Sequence, residues 1–590
     1  SSSSAASDVY KRQAYVRENH WKLTHLLNYN QTFYKHDIGM LLGFEEERFV
    51  KRTTDTAKLG LIDSSVGDSS SATTPSSIGG TGEEFTSRSY FGRINYAFDS
   101  RYLFEVNMRY DGSSRFAPDN RWGLFPSFSA GWRISEERFM KGLPIDNLKL
   151  RASWGKLGNN AIGNYEWQAV YNSAKYAFGG SLNNGLAITS ISNNLLEWES
   201  TAITNIGIDF ATLRNRLTFE AEFYNKVTDG ILYRPDMYMS LGTASGPRQN
   251  IAEVTNRGIE MTLNWQDRIG KVEYRVSGNF AYNQNKVSKY KGELQRGWAT
   301  DENGNRVYQT NIGDVSTGGS TRVIEGKMIN EYYMLQPYKG SGNGFNADGT
   351  VNINGGPRDG MIRTVDDMKW LNAMVGAGYK FYPRQNVSKS GIWYGDYIYA
   401  DLNGDGVYGN DADNEFQGCS NVPKYNFGLQ ASANWKGFDF SMNWSGAAGF
   451  KIYYYRLALN SSATIKGYAI GEAIANDHYF FDPKNPNDPR TNLSSKNPRL
   501  TNNSGNDQSG MTQSSVHLQK GDYIKLKNLT IGYTLPAVLS KKVYAQNIRF
   551  FASGENLFTI TGYEGMDPEM RTAVGYSTMR QYAFGVNITF

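Results

Sequence analysis

The feature that most constrains this chain is a period of two. Arg580–Phe590 reads RQYAFGVNITF, with Tyr582, Phe584, Val586, Ile588 and Phe590 on one phase and Gln581, Ala583, Gly585, Asn587 and Thr589 on the other. Such alternation is a β-strand with one apolar face and one small or polar face. In water the apolar face would cover a core, as at the edge of a β-sandwich. In a membrane barrel it faces lipid and the polar face lines the lumen. One strand does not choose between these two homes.

The pattern recurs. Tyr102, Phe104, Val106, Met108 and Tyr110 oppose Leu103, Glu105, Asn107, Arg109 and Asp111. Similar phases run through Ile206, Ile208 and Phe210, through Leu217, Phe219, Ala221 and Phe223, and through Ile259, Met261, Leu263 and Trp265. They continue through Tyr274, Val276 and Phe280, then Tyr425 to Trp435, then Phe438 to Trp444. Roughly sixteen such strands are expected, many close to the ~9–11 residues that cross a membrane at a tilt. Tight hairpins are expected at Asp99-Ser100, around Asn215 and at Lys436-Gly437, and long loops at 55–85, 156–200, 286–320, 338–395 and 450–520. Short turns on one rim and long loops on the other are the asymmetry of an outer-membrane barrel. Soluble sandwiches rarely carry loops beyond ~12–15 residues. Ending on an aromatic residue in the lipid-facing phase is usual for bacterial barrels of this kind. Ile524 to Tyr533 changes phase, which predicts a β-bulge near Lys527-Asn528.

Composition agrees. Hydrophobic residues make up only 39% of 590, mean hydropathy is −0.55, and no apolar run approaches the ~18 residues of a membrane helix. In a barrel only every second residue meets lipid, so hydropathy averages out. The 39 Tyr and 12 Trp suit membrane–water interfaces. The net charge of +5 arises from 62 basic and 57 acidic residues without a basic block, which gives no case for nucleic acid. Cys419 stands alone, and the five His show no metal-ligand spacing. Residues 1–13, SSSSAASDVYKRQ, have neither the basic nor the apolar region of a signal peptide and read as a non-native or artefactual leader, leaving 14–590 as the folding region.

Several segments closely resemble the SusC/RagA family of TonB-dependent outer-membrane transporters of the Bacteroidota. They are Tyr90–Tyr96 (YFGRINY), Arg109–Phe116 (RYDGSSRF), Arg121–Glu137 (RWGLFPSFSAGWRISEE), Leu148–Asn159 (LKLRASWGKLGN) and Leu196–Asp209 (LEWESTAITNIGID). Ala252–Glu260 (AEVTNRGIE), Ala400–Gly406 (ADLNGDG), Tyr523–Pro536 (YIKLKNLTIGYTLP) and Phe551–Ile560 (FASGENLFTI) follow in the family's order. The resemblance implies an all-β fold, an antiparallel transmembrane β-barrel of about 22 strands with a plugged lumen. It implies long extracellular loops and short periplasmic turns. A SusD-like surface lipoprotein would form the lid, TonB–ExbB–ExbD would drive import, and oligosaccharides or sometimes peptides would be carried. The chain matches only the C-terminal part of that pattern, without the TonB box, plug and first barrel strands. The expectation is therefore an incomplete barrel, an open curved sheet in outer-membrane lipid.

Asp401, Asn403 and Asp405, with Gly406 behind them, place oxygen donors at positions 1, 3 and 5 of a calcium loop. Val407 would add its carbonyl, and Asp411 or Asp413 would close a structural calcium site around Ala412. A plain turn is the alternative. Trp370, Trp393, Tyr394, Tyr397, Tyr453, Tyr454 and Tyr455 are candidates for stacking on sugar rings, with loop packing or an interface girdle as the alternative. Pro483, Pro486, Pro489 and Pro498 would stiffen the 450–520 loop for contact with a lid protein. Ser113 and Ser114 in DGSSRF have no neighbouring His, and Glu220 and Glu222 read as pore-lining groups rather than a glycosidase pair. No enzyme is expected. A passive porin and a secreted β-rich glycan-binding or adhesion protein are the competing functions.

Overall fold

The computed structural model describes residues 10–61, 72–233, 248–290, 298–300, 306–308, 321–322, 326–382, 386–454, 472–500, 514–571, 576 and 578–590. The described residues of Ser1–Leu143, Asn147–Ile208 and Tyr224–Glu253 form one unit, and those of Pro144–Asp146, Asp209–Phe223 and Val254–Phe590 form a second.

Among the described residues, fifteen strands hydrogen-bond in chain order in one sheet. They are β1 (Tyr10–Phe33), β2 (His36–Leu61), β3 (Ala72–Phe98), β4 (Tyr102–Ser113), β5 (Trp122–Arg133), β6 (Ile145–Asn159), β7 (Glu199–Thr212) and β8 (Leu217–Tyr233). Next come β9 (Gln249–Ile269), β10 (Val272–Tyr290), β11 (Tyr425–Trp435), β12 (Phe438–Ala448), β13 (Tyr523–Thr534), β14 (Asn547–Thr561) and β15 (Gln581–Thr589). β1 begins at Tyr10, so Tyr10–Gln13, set apart above with the leader, pair with Thr56–Leu59. The Lys436-Gly437 hairpin is a two-residue turn with φ of +47° and +88°. Positive φ at both positions twists the turn in step with its strands.

In the first unit the apolar phase of β3–β5 is the exposed one: Ile94, Phe104, Met108, Leu124 and Phe128 all point to the surroundings. Rings close this face at both ends. Tyr90 and Tyr110 stack on Trp122 at 6.2 and 4.8 Å, and Tyr102 stacks between Phe98 and Trp132 at 6.3 and 6.5 Å. From Tyr102 to Tyr110 is about 27 Å along the strand. At the usual tilt that is roughly 20 Å along the membrane normal, close to the ~25 Å apolar band of an outer-membrane barrel. The opposite face is wired with polar groups: Arg93 to Asn107 at 2.8 Å, Asn107 to Glu105 at 2.7 Å and Arg109 to Asp111 at 2.8 Å.

The second unit repeats the arrangement. Trp435, Phe438 and Tyr533 form a ring cluster at the short-turn end, with centroids 6.3 and 4.5 Å apart. Phe280, midway along β10, and Tyr425, at the other end of β11, lie 6.2 Å apart. On β15, Tyr582, Phe584, Val586 and Ile588 are exposed on their apolar phase. A sandwich would bury those residues.

Two expectations change in detail. The 55–85 stretch is not a loop among its described residues: β2 continues to Leu61 and β3 starts at Ala72, paired with few interruptions. Alternation is lost there because residues 72–84 are mostly Thr, Ser and Gly, with Ile78 the one large apolar side chain before Phe85. Backbone pairing needs no apolar face once a strand leaves lipid. Second, 156–200 contains its own hairpin, Val170–Phe178 with Ser181–Ser190. The bulge in β13 is present as expected. Asn443 pairs with Asn528 and Trp444 with Leu526, and β14 likewise skips Lys527.

Candidate functional site

The long loops between β10 and β11 and between β12 and β13 carry a small core of their own. Helix α1 (Val365–Gly376) is its backbone. Thr364 caps it by accepting from Asp367 N, while the Asp367 carboxylate accepts from Thr364 N at 2.8 Å. This reciprocal pair satisfies amides that an uncapped helix start leaves open. The helix buries Met368, Trp370, Leu371 and Met374 against Tyr338, Met361, Phe381, Ile398, Tyr399 and Tyr479. Trp370 donates its indole N–H to Asn352 O at 2.7 Å and stacks on Tyr338 at 5.2 Å. The chain passes so close that a Cβ on Gly356 would sit 2.4 Å from the Trp370 ring, at a φ of +72° that also favours glycine.

The expected stacking residues divide. Trp370, Tyr394 and Tyr397 are buried in this core, the loop packing that stood as the alternative to stacking on sugar rings. Each ring removes more apolar area from water by packing than it could by waiting at a surface. Tyr397 donates its hydroxyl to Lys496 O at 2.8 Å, and burial pushes its pKa up to about 12. Trp393 is half-buried at the module's edge. Tyr453 and Tyr454 are half-buried beside the short pairing of Lys451–Tyr453 with Leu518–Lys520, edge-on to His517 and Tyr563 respectively. Tyr455 lies outside the described residues.

The acidic loop folds around its own backbone. Asp401 accepts from Gly404 N at 2.6 Å and Gly406 N at 2.9 Å, and Asp405 from Val407 N at 2.7 Å. Asn403 Oδ1 accepts from Asp405 N at 3.0 Å. Asp413, fully buried, accepts from Leu402, Asn403, Gly409 and Asn410 amides between 2.7 and 3.3 Å. Burial first, and then the charge of Asp401, raises the Asp413 pKa to about 6, and burial raises Asp401 as well. Asp411 opens a short 3-10 turn capped by Asn410. Among the described residues no group of three or more His, Cys, Asp or Glu side chains is gathered to hold a metal ion. Carboxylate oxygens that cap amides still keep lone pairs.

Two cavities were not expected from the sequence, although Trp393, Tyr394, Pro483 and Pro489, singled out there, line the second. A cavity of about 730 Å³ lies on the polar face of the first unit, lined by Asp37, Asn95, Glu105, Lys149, Arg151 and Asn205 among others. It offers a wet, mixed-charge wall. A second cavity, about 720 Å³, opens in the loop module between Trp393 and the 476–500 segment. The signal for it was present in Asp482 to Arg490, DPKNPNDPR, where an Asx-Pro pair recurs every third residue. Each repeat closes a turn: Asn485 N to Asp482 O, Asp488 N to Asn485 O and Thr491 N to Asp488 O, at 2.9–3.1 Å. Side-chain hydrogen bonds from Arg490 hold Asp488 down at about 2.

A sheet whose exposed face is apolar and ring-bounded, and whose other face is charged, is the wall of a transmembrane β-barrel. The comparisons agree. Residues 1–557 match the family described as TonB dependent receptor-like, beta-barrel. TonB-dependent receptor P39 of Formosa agariphila is 30% identical over 95% of this chain and 52% of its own length. TonB-dependent receptor SusC of Bacteroides thetaiotaomicron is 28% identical over 85% of this chain and 43% of its own. The solved structure of the RagAB peptide transporter superposes with a TM-score of 0.72 at 21% identity, covering 98% of this chain and 56% of that one. The chain belongs to the SusC/RagA family of TonB-dependent receptors, which are outer-membrane proteins and not enzymes. It spans about half the length of the curated relatives it matches.

Proposed function

We propose that this chain is the barrel part of an outer-membrane active importer of nutrients, with oligosaccharides as the substrate class and peptides as the second. TonB–ExbB–ExbD supplies the work through the plug region of the receptor, and a SusD-like lipoprotein covers the loop side. The observation that carries this reading is the two-faced wall: exposed apolar residues bounded by Tyr90–Trp122–Tyr110 and Phe98–Tyr102–Trp132, backed by a charged inner face. Such a wall selects and conducts polar solutes and needs no bond chemistry of its own. The SusC relative supports the transport class, and the RagAB structure is described as a peptide transporter. Uptake of fluorescent hexasaccharides and of a fluorescent tetrapeptide by cells with and without the gene tests it. Gene- and TonB-dependent accumulation of a saccharide is expected. TonB-independent leakage would support a passive pore instead.

A structural calcium ion is a separate proposal for the Asp401–Asp413 loop. It is supported by donors at positions 1, 3 and 5 and by the raised pKa values of Asp401 and Asp413: burial is the first cause of both, and the Asp405 charge acting on Asp401 and the Asp401 charge acting on Asp413 add repulsion that a cation would relieve. Asp401, Asn403, Asp405, the Val407 carbonyl and Asp413 would hold it, acting on loop order alone. Terbium luminescence should saturate in the parent protein and vanish in Asp405→Ala. An unchanged signal in that variant would remove the proposal.

A further inference from the structure

We propose that the cavity walled by Trp393, Phe480 and Phe481 is a saccharide subsite of the loop module, which takes a pyranose ring against flat aromatic faces. This rests on the import reading above and names the place and chemistry of a contact that reading leaves open. Its volume of about 720 Å³ falls within the ~300–1,000 Å³ usual for ligand sites.

The walls are aromatic and fixed. Tyr394 meets Phe481 edge-on at 5.1 Å and Trp393 edge-on at 5.3 Å, while the Arg490 guanidinium lies 4.5 Å over Phe480. Tyr479, beneath them, is anchored by its hydroxyl to Arg363 O at 2.6 Å. Rings already held in place lose little entropy when a ligand stacks on them. A pyranose presents one face of C–H groups to such a ring and a rim of hydroxyls to short polar side chains. Asn476, His478 and Thr491 line the same cavity and supply that rim.

The same surroundings disfavour the other substrate classes. A peptide added as a strand needs an open backbone edge. Here Phe480 and Asn492 bond each other in both directions at 3.3 and 2.9 Å, Tyr479 N is taken by Asn497 O, and the Asx-Pro turns close on themselves. A polyanion needs uncompensated cations. Arg499 makes a two-pronged pair with Asp396 at 2.9 Å, and Arg490 pairs with Asp488. Lys389 and Asp482, of opposite sign, also line the cavity and leave no excess of either charge, so ring faces and neutral hydrogen-bonding groups dominate what it offers, which is the chemistry of an uncharged sugar.

The test uses the full-length receptor in detergent. Binding of malto-, xylo- and mannohexaose is followed by calorimetry, with tetra-alanine as the peptide probe. At least one hexasaccharide should bind, and Trp393→Ala and Phe481→Ala should each weaken it about ten-fold or more. Trp393→Phe, which keeps a flat ring, should retain most of the affinity, and Phe345→Ala, exposed elsewhere in the loops, should leave it unchanged. Equal affinity in Trp393→Ala and the parent, binding of no hexasaccharide, or displacement of the sugar by tetra-alanine would each overturn the proposal. Cell uptake separates the two ideas. Import that persists undiminished in Trp393→Ala removes the subsite and leaves the importer standing, whereas a parent receptor that imports no saccharide removes the importer reading itself.

Discussion

Lys525 Nζ lies 2.7 Å from Asp567 Oδ2, with both side chains almost wholly shielded from water. Glu569 completes the cluster, 2.9 Å from Lys525 and 2.6 Å from Lys527. The bulge explains the second lysine. Because Lys527 is the residue both neighbouring strands skip, it joins the polar phase without displacing Leu526 or Leu529 from the apolar one. The segment that follows β14 is thereby tied to β13. Lys525→Met strands Asp567 in a dry site and should cost about 3–5 kcal/mol. Lys369→Met, which breaks an exposed pair with Asp366, should cost less than about 1 kcal/mol. Denaturant unfolding of the two variants in detergent decides, and equal midpoints would refute the buried clasp.

The clasp also sets a pH dependence. Burial alone would raise Asp567 and Glu569, but hydrogen bonds from Lys525 and Thr578 to Asp567, and from Lys527 and Lys525 to Glu569, outweigh it and hold both below their ordinary values of 3.8 and 4.5. Groups depressed in the folded state add stability that is complete above their unfolded pKa and is lost as pH falls through the folded one. Stability should therefore stay flat on acidification to about pH 5 and drop below pH 4. In Lys525→Met this acid-side loss should shrink. Proteolysis of the 562–571 segment at stepped pH reads it out.

Neighbouring residues on β5 test which face meets lipid. Phe128 is exposed midway between the aromatic ends, while Ser129 lies on the polar phase opposite Glu105. Phe128→Arg should cost about 2–4 kcal/mol in vesicle refolding, and Ser129→Arg far less. The reverse order would place the apolar face away from the membrane.

The loop module should melt apart from the wall. Trp370→Ala empties the centre of its core and should cost about 3–5 kcal/mol locally. Gly356→Ala should act in the same direction, since the added methyl meets the Trp370 ring. Limited proteolysis should then nick 338–395 while the heat-resistant migration of the barrel persists. Loss of both together would show that the module and wall fold as one.

The strands, the tight turns and the Lys527 bulge were legible because each is a local pattern. Alternation between Tyr102 and Tyr110 states which side chains share a face, and a phase break states where a residue is extra. The extended parts of β2 and β3 were hidden, since strands with water on both faces show no alternation. The loop aromatics were ambiguous for a different reason. Trp370 and Trp393 are the same residue type in similarly polar stretches, yet one is fully buried and the other half-buried beside a cavity.

The sequence by itself determined the wall: period two, ring-rich ends and a charged inner phase follow from neighbours along one strand. Only the tertiary structure decided which rings are core and which line a cavity, and that Asp413 is capped by four amides of its own loop. Burial and ion pairing there depend on segments such as 338–381 and 476–500, or β13 and 562–571, meeting in space. That is set by the free energy of long-range packing, which no local pattern encodes.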